Sequence, residues 1–459
     1  MSLKAKYQYT HFIYPFVVEN KKYQSFIASL LKKEKTWNIK IDVQQSDEEL
    51  YNFFLPYMRK FLFPTLFWSK DFVKQYKNMS IFQKSFTASK MSSVAFEYNL
   101  ANIKTGSVSG KQYGAIHFDI SNIRLICFEP GVCFLDIKTE IDEDEDTIEF
   151  NKILDFNHYF RNLTPRAIST ITSKSLIKGK NIDSVESITA FIKSVISGFE
   201  TTDLEKIYYD KMFTYSYVCV DGWEKESDFE KMQNDFYKFQ YVINSKSSAV
   251  FNTNFSKLKE DSYSRWQYSM FGFSRESGVV FVSDKEKYNI TRMPYNFEKT
   301  YFYMLLLAFY QRISLINFSQ DLMRKDKTMI RKLKKELSRF THMSWFSQIT
   351  NSEHGMDIWE SWQKAFELPS LFEEVQREYE EYYDFLRASG QERFNVVLVI
   401  MYIVNLVFAG LSMLTQNFGL RGTWLEPLII AMLCCGALAF PVYAVTKWIK
   451  YKLENRFSL

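Results

Sequence analysis

The residues best suited to chemistry in this sequence are amides and carboxylates. Asn405 stands in the middle of a long apolar run, Gly410 and Ser412 follow it, and Thr415, Gln416 and Asn417 close the run. Hydrated cations are met best by rings of oxygen dipoles, because Mg²⁺ gives up its water reluctantly. Gln416 and Asn417, repeated around a symmetry axis, would form such a ring; the plainer reading is a set of ordinary polar loop residues. An amide at Asn405 is costly against lipid, so it is expected to face other helices or a water-filled path. Upstream, Glu373, Glu374, Glu378, Glu380, Glu381 and Asp384 make an acidic helical face. It either draws cations towards a pore entrance or pairs with the basic block Arg324, Lys325, Lys327, Arg331, Lys332, Lys334, Lys335 and Arg339.

Enzyme signatures are poor. The stretch Gly106-Ser107-Val108-Ser109-Gly110-Lys111-Gln112 lacks the spacing of a phosphate-binding loop and reads as a hairpin loop. Asp142–Asp146 is an acidic run that suits a solvated loop better than a metal site. His11, His117, His158, His342 and His354 show no paired-ligand spacing, and Cys127, Cys133, Cys219, Cys434 and Cys435 form no CxxC pair. A reduced compartment fits, with the cysteines serving as small apolar side chains. Aromatic residues reach 18% and could stack an adenine, although such rings more often build a core. The net charge of +5 is dispersed, which argues against direct nucleic-acid binding.

The 459 residues suffice for a substantial folded body plus a separate C-terminal part. Two stretches, 394–415 and 427–446, are long enough and apolar enough to be read as transmembrane helices rather than core helices. Lys447, Lys450, Lys452 and Arg456 follow the second, while Arg387 and Arg393 precede the first. The short loop between them carries Arg421 and Glu426. That distribution predicts both termini on the cytoplasmic side, and the N-terminus lacks the apolar stretch of a signal peptide.

Strand-like and helix-like patterns alternate before residue 295. Strands are expected at Tyr7–Glu19, Trp37–Val43, Ser93–Leu100, Ala115–Phe128, Val132–Ile141, Ile207–Val220 and within Arg265–Ser283. Helices are expected at Lys22–Lys33, Glu48–Leu62 and Phe229–Ile243, with a hairpin turn at Glu129-Pro130-Gly131. From Asn296 the pattern is helical: Tyr301–Tyr310 reads as a buried helix, and Ile316, Met323, Ile330 and Leu337 recur every seven residues. Ser344–Asp357 reads as a turn. A long helix starting near Pro369 is expected to run into the first apolar stretch.

A folded body, a helical stalk entering a first span, a tiny loop and a second span together resemble the CorA-like divalent-cation channel superfamily. Where that family carries Gly-Met-Asn, this chain has Thr415-Gln416-Asn417, followed by Phe418; only Asn417 matches the signature. The segment YTHFIYPFVVENKKY narrows the resemblance to the CorA-like proteins encoded beside type III CRISPR systems. The resemblance implies an α+β (mixed α/β) sensor domain over 1–295, a helical stalk over 296–393 and a two-helix transmembrane pore domain over 394–459. It implies a non-enzymatic ion channel in a bacterial inner membrane, assembled as a homo-oligomer, a pentamer in that family. The channel would serve as an antiviral effector opened by a nucleotide second messenger such as a conjugate of S-adenosylmethionine and AMP. It implies no covalent cofactor, with Mg²⁺ as permeant or regulatory ion. A housekeeping Mg²⁺/Co²⁺ transporter and a membrane-anchored interaction module without a pore are the competing readings.

Overall fold

The computed structural model describes residues 3–41, 47–100, 105–110, 113–142, 147–163, 174–178, 186–196, 199, 211–248, 260–323 and 327–417. Thirteen strands within them form one mixed sheet: β1 (Lys4–Val17), β2 (Trp37–Ile39), β3 (Ser93–Tyr98), β4 (Thr105–Gly110), β5 (Tyr113–Phe128), β6 (Val132–Ile141), β7 (Ile148–Glu149), β8 (Lys174–Lys178), β9 (Glu186–Ser187), β10 (Phe213–Val220), β11 (Ser262–Tyr263), β12 (Ser269–Phe273) and β13 (Ser277–Ser283). The main path runs β11-β12-β13-β10-β1-β6-β5-β4-β8-β9. Every pairing is antiparallel except β10 with β13.

Both faces of the sheet centre are covered, which explains why β10 and β13 are buried along their whole length. On one face, α1 (Asn20–Lys32) and helix Phe150–Phe160 pack on even-numbered β1 residues. Phe12 meets Phe160 with ring centroids 4.3 Å apart, and Phe16 meets Phe26 at 5.8 Å. On the other face lie a helix at Phe302–Met323 and a helix at Glu353–Ala365, with Phe213 5.1 Å from Phe309 and 6.1 Å from Trp362. The predicted buried helix at Tyr301–Tyr310 is therefore present and wholly packed except for the half-buried Tyr303.

One local expectation is corrected. The turn expected over Ser344–Asp357 gives way to a helix from Glu353, because Ser352 accepts the Gly355 amide at 3.3 Å as an N-cap. That helix is held by Ile358, Trp359 and Trp362, all buried. Trp362 lies over Gly278 of β13, where an added Cβ would come within 2.4 Å of its ring. Gly278→Ala should therefore cost about 1–3 kcal/mol, read as a lowered urea midpoint. A loss below ~0.5 kcal/mol would show that the tryptophan is not seated there.

The larger correction concerns the C-terminal part. A single helix, Leu368–Asn417, runs for 50 residues, about 75 Å at 1.5 Å per residue. The stretch 394–415 forms its last part, and the exposed Asn395 and Asn405 interrupt its apolar surface. Among the described residues no helix is long and apolar enough to cross a membrane. That finding overturns the reading of two transmembrane helices and the multi-pass inner-membrane placement with cytoplasmic termini. The membrane, ion-channel and transport readings built on them fall with it. The second apolar stretch, 427–446, lies outside the described residues, as do Arg421, Glu426, Phe418, the basic residues after 446, Cys434 and Cys435, Arg324 and Lys325, and most of the Asp142–Asp146 run.

Packing divides the chain into two units. One holds residues 1–325 and 331–375, the other 326–330 and 376–459.

Candidate functional site

The sheet positions a set of charged side chains that apolar strands ordinarily exclude. Alternate residues of a strand share a face, and the register puts His11 opposite Lys138, and Arg124 opposite Asp136. Ile13 faces Asp136 across the β1–β6 ladder, which brings His11 diagonally onto the same carboxylate. His11 and Asp136 are fully buried, while Arg124 and Lys138 are at least nine-tenths buried.

Asp136 is the centre. Its Oδ2 accepts from Arg124 Nε at 2.9 Å and from Arg124 Nη2 at 2.7 Å, and its Oδ1 lies 3.0 Å from His11 Nδ1. Burial alone would push this carboxyl up, but His11 and Arg124 outweigh it and hold the group below the usual carboxylate range. For Arg124 burial works against the charge, yet Asp136 beside it keeps the guanidinium strongly protonated. Arg124 also lies 4.3 Å above the Phe302 ring, and Lys138 lies 4.5 Å from the Tyr9 ring centre.

The lid over this cluster is a π-helical turn, Phe297–Tyr301, at the head of helix Phe302–Met323. Single π turns inside α-helices recur at functional sites. Phe297 stacks on Tyr215 with centroids 3.8 Å apart and planes 7° from parallel, and its carbonyl accepts from the Tyr215 hydroxyl at 3.2 Å. Glu298 accepts from Lys138 Nζ at 3.1 Å, and Lys299 reaches Asp47 at 3.3 Å. Burial pushes Glu298 up, but Lys138, His11 and Arg124 bring it down below its ordinary value.

The turn ends at Tyr301, whose hydroxyl lies 2.9 Å from His354 Nε2; His354 Nδ1 lies 3.0 Å from the Tyr263 hydroxyl. Because Tyr263 donates to Asp357 at 2.8 Å, His354 donates through Nδ1 and accepts from Tyr301 through Nε2. The rim carries the exposed Trp266, 4.2 Å from the imidazole, and Arg265, which pairs with Glu353 at 2.7 Å. Four elements thus converge on one turn.

The residues singled out from sequence lie elsewhere. Asn405 and Gly410 are exposed on the tail of helix Leu368–Asn417, and Ser412, Thr415, Gln416 and Asn417 fall in the last six residues of that helix. Of the acidic set, Glu373, Glu374, Glu380, Glu381 and Asp384 are exposed and Glu378 is half-buried. Arg339 of the basic block makes a two-pronged pair with Glu129, at 3.1 and 2.8 Å. His11 was set aside for want of a paired ligand, and Arg124, Asp136, Lys138 and Glu298 carried no motif of their own. The available signal was charge at alternate positions of an otherwise apolar strand, as in Asp136, Lys138 and Glu140 of β6. Among the described residues no group of three metal-ligating side chains converges on one point. No family model matches the chain, no curated protein is similar to it, and no solved structure matches it.

Proposed function

We propose that this chain is a ligand-responsive protein that works as an assembly of its own copies. The sheet body reads a small anionic effector, and the long C-terminal helix holds the copies together. The observation that carries the assembly is the surface of helix Leu368–Asn417. Phe394, Val397, Leu398, Val399, Met401, Tyr402, Ile403, Leu406 and Met413 are all exposed on it. These positions spread over well more than half of the helix circumference, so one neighbour cannot cover them. A bundle of several copies does, along roughly 30 Å of shaft. Exposed apolar surface of this extent marks an interaction site.

The effector reading is supported by the buried charges beneath a π turn, and by the likeness of the β1 segment to messenger-gated effectors. A nucleotide messenger, such as a conjugate of S-adenosylmethionine and AMP, is the class proposed; calorimetric titration of the full chain tests it directly.

Light scattering of the full chain tests the assembly. The expected mass is a multiple of the 54.6 kDa chain, and Leu398→Glu combined with Tyr402→Glu should bring it to a single chain. A single-chain mass for the unaltered protein, or one that stays monomeric only inside detergent micelles, would overturn the reading.

A further inference from the structure

We infer that His11, Arg124 and Lys138 form the receptor for a phosphate group, and that Glu298 is a built-in plug occupying it. Three side chains able to carry positive charge come from three neighbouring strands onto one face. Two carboxylates answer them, and these differ in kind. Asp136 belongs to the sheet, is fully buried, and is bound by both Arg124 and His11. Glu298 comes from another element, the π turn, and its side chain keeps 24% of its exposure. It contacts Lys138 through one oxygen. Asp136 is a fixed counter-ion, whereas Glu298 can swing outward without breaking a strand.

A second observation points to a ligand rather than to a finished ion pair. His11 Nε2 is buried and has no hydrogen-bond partner in the protein, although its other ring nitrogen is held by Asp136. Lys138, which Glu298 contacts, stands directly opposite His11 across the β1–β6 ladder, so the open nitrogen belongs to the residue paired with the plugged lysine. A phosphate monoester or pyrophosphate replacing the Glu298 carboxylate brings more oxygens than a carboxylate. It accepts from Lys138 and, with His11 as the imidazolium, from Nε2–H. Ordinary monocarboxylates lack the charge and the oxygen count to satisfy both donors.

The same exchange explains how the site would report its state. Glu298 lies in the π turn, which also holds Phe297 on Tyr215 and Tyr301 on His354. Releasing Glu298 frees the turn to change register, so a bound and an empty state differ in the element that heads helix Phe302–Met323. This inference rests on the effector reading above and narrows it to a phosphate-bearing ligand.

Pyrophosphate is the probe, titrated into the full chain by calorimetry against sodium chloride of equal ionic strength. The unaltered protein is expected to bind weakly. Glu298→Ala removes the competitor and should tighten binding at least tenfold, and Lys138→Met in that background should abolish it. Glu298→Gln keeps the volume and a weaker acceptor, and should give an intermediate gain, so the test survives misfolding of the alanine variant. Binding unchanged by all three substitutions, or matched by chloride, overturns the site. If the nucleotide messenger still binds with an affinity indifferent to residues 138 and 298, the phosphate receptor is refuted while the effector reading stands.

Discussion

Replacing Asp136 by Asn should cost about 3–5 kcal/mol of folding stability, the expected price of leaving a buried guanidinium without its counter-ion. The substitution preserves size and shape, so the loss is electrostatic. Arg124 is confined between β5 and the Phe302 ring and is 8% exposed at its side chain, which leaves it no route to solvent. Deleting both charges, as in Asp136→Leu with Arg124→Met, should recover most of the loss, since buried pairs replaced by well-packed apolar groups are close to neutral. Asp136→Leu alone, Arg124→Met alone and the double variant form a cycle whose coupling should exceed ~2 kcal/mol, because the partners are in direct contact. Urea unfolding at neutral pH, followed by tryptophan fluorescence, gives all three values. A single-variant loss below ~1 kcal/mol would mean that water reaches Arg124 and that the cluster is not sealed. Sign matters for acid behaviour too. The folded-state carboxyl titrates below its unfolded value, so its contribution is complete above about pH 4 and is lost as pH falls through the depressed folded value.

Much of the sheet was legible because its strands are punctuated locally. Val132–Ile141 is found as expected, and the Glu129-Pro130-Gly131 step does separate β5 from β6. The long helix was legible from Pro369 at its first turn and from the lack of any later proline up to Asn417; its two glycines, Gly390 and Gly410, cost a helix only about 1 kcal/mol each. The site was not legible, for a definite reason. A slip of one residue in pairing moves a whole strand's side chains to the other face, so no sequence pattern could place His11 beside Asp136 rather than behind it. The π turn was hidden as well. Its extra residue is held by tertiary contacts, Phe297 on Tyr215 and Glu298 on Lys138, which leave no local trace. Apolar length misled in the opposite direction: 394–415 met a length criterion, yet it is the tail of a helix whose earlier turns are charged.

Lowering the pH from 6.5 to 4 should destabilise the fold by about 2–3 kcal/mol through His354 alone. Burial, aided by the Arg265 cation and only partly offset by Asp357, pushes its imidazole down to about 4. The unfolded chain therefore takes up a proton near pH 6.5 that the folded chain refuses. No stability is lost above that value, the loss grows as pH falls, and it levels off below about 4, where both states are protonated. The groups facing the ring are Tyr301 from the π turn, Tyr263, Arg265 and Trp266 from the β11 region, and Asp357 and Glu353 from its own helix. Protonation turns Nε2 into a donor, so the bond that anchors the π turn must reverse, with the Tyr301 oxygen accepting and its own proton turned away from the ring. His158 is also held low by burial and adds a slope of the same sign, so the comparison must be made against a variant. His354→Gln, which keeps one donor and one acceptor, should remove the His354 share of the slope between pH 6.5 and 4. Hydrogen exchange at 297–301 should rise on acidification in the unaltered protein more than in this variant. Equal slopes in the two proteins would show that His354 is already open to solvent and that the turn it holds is not coupled to the ring.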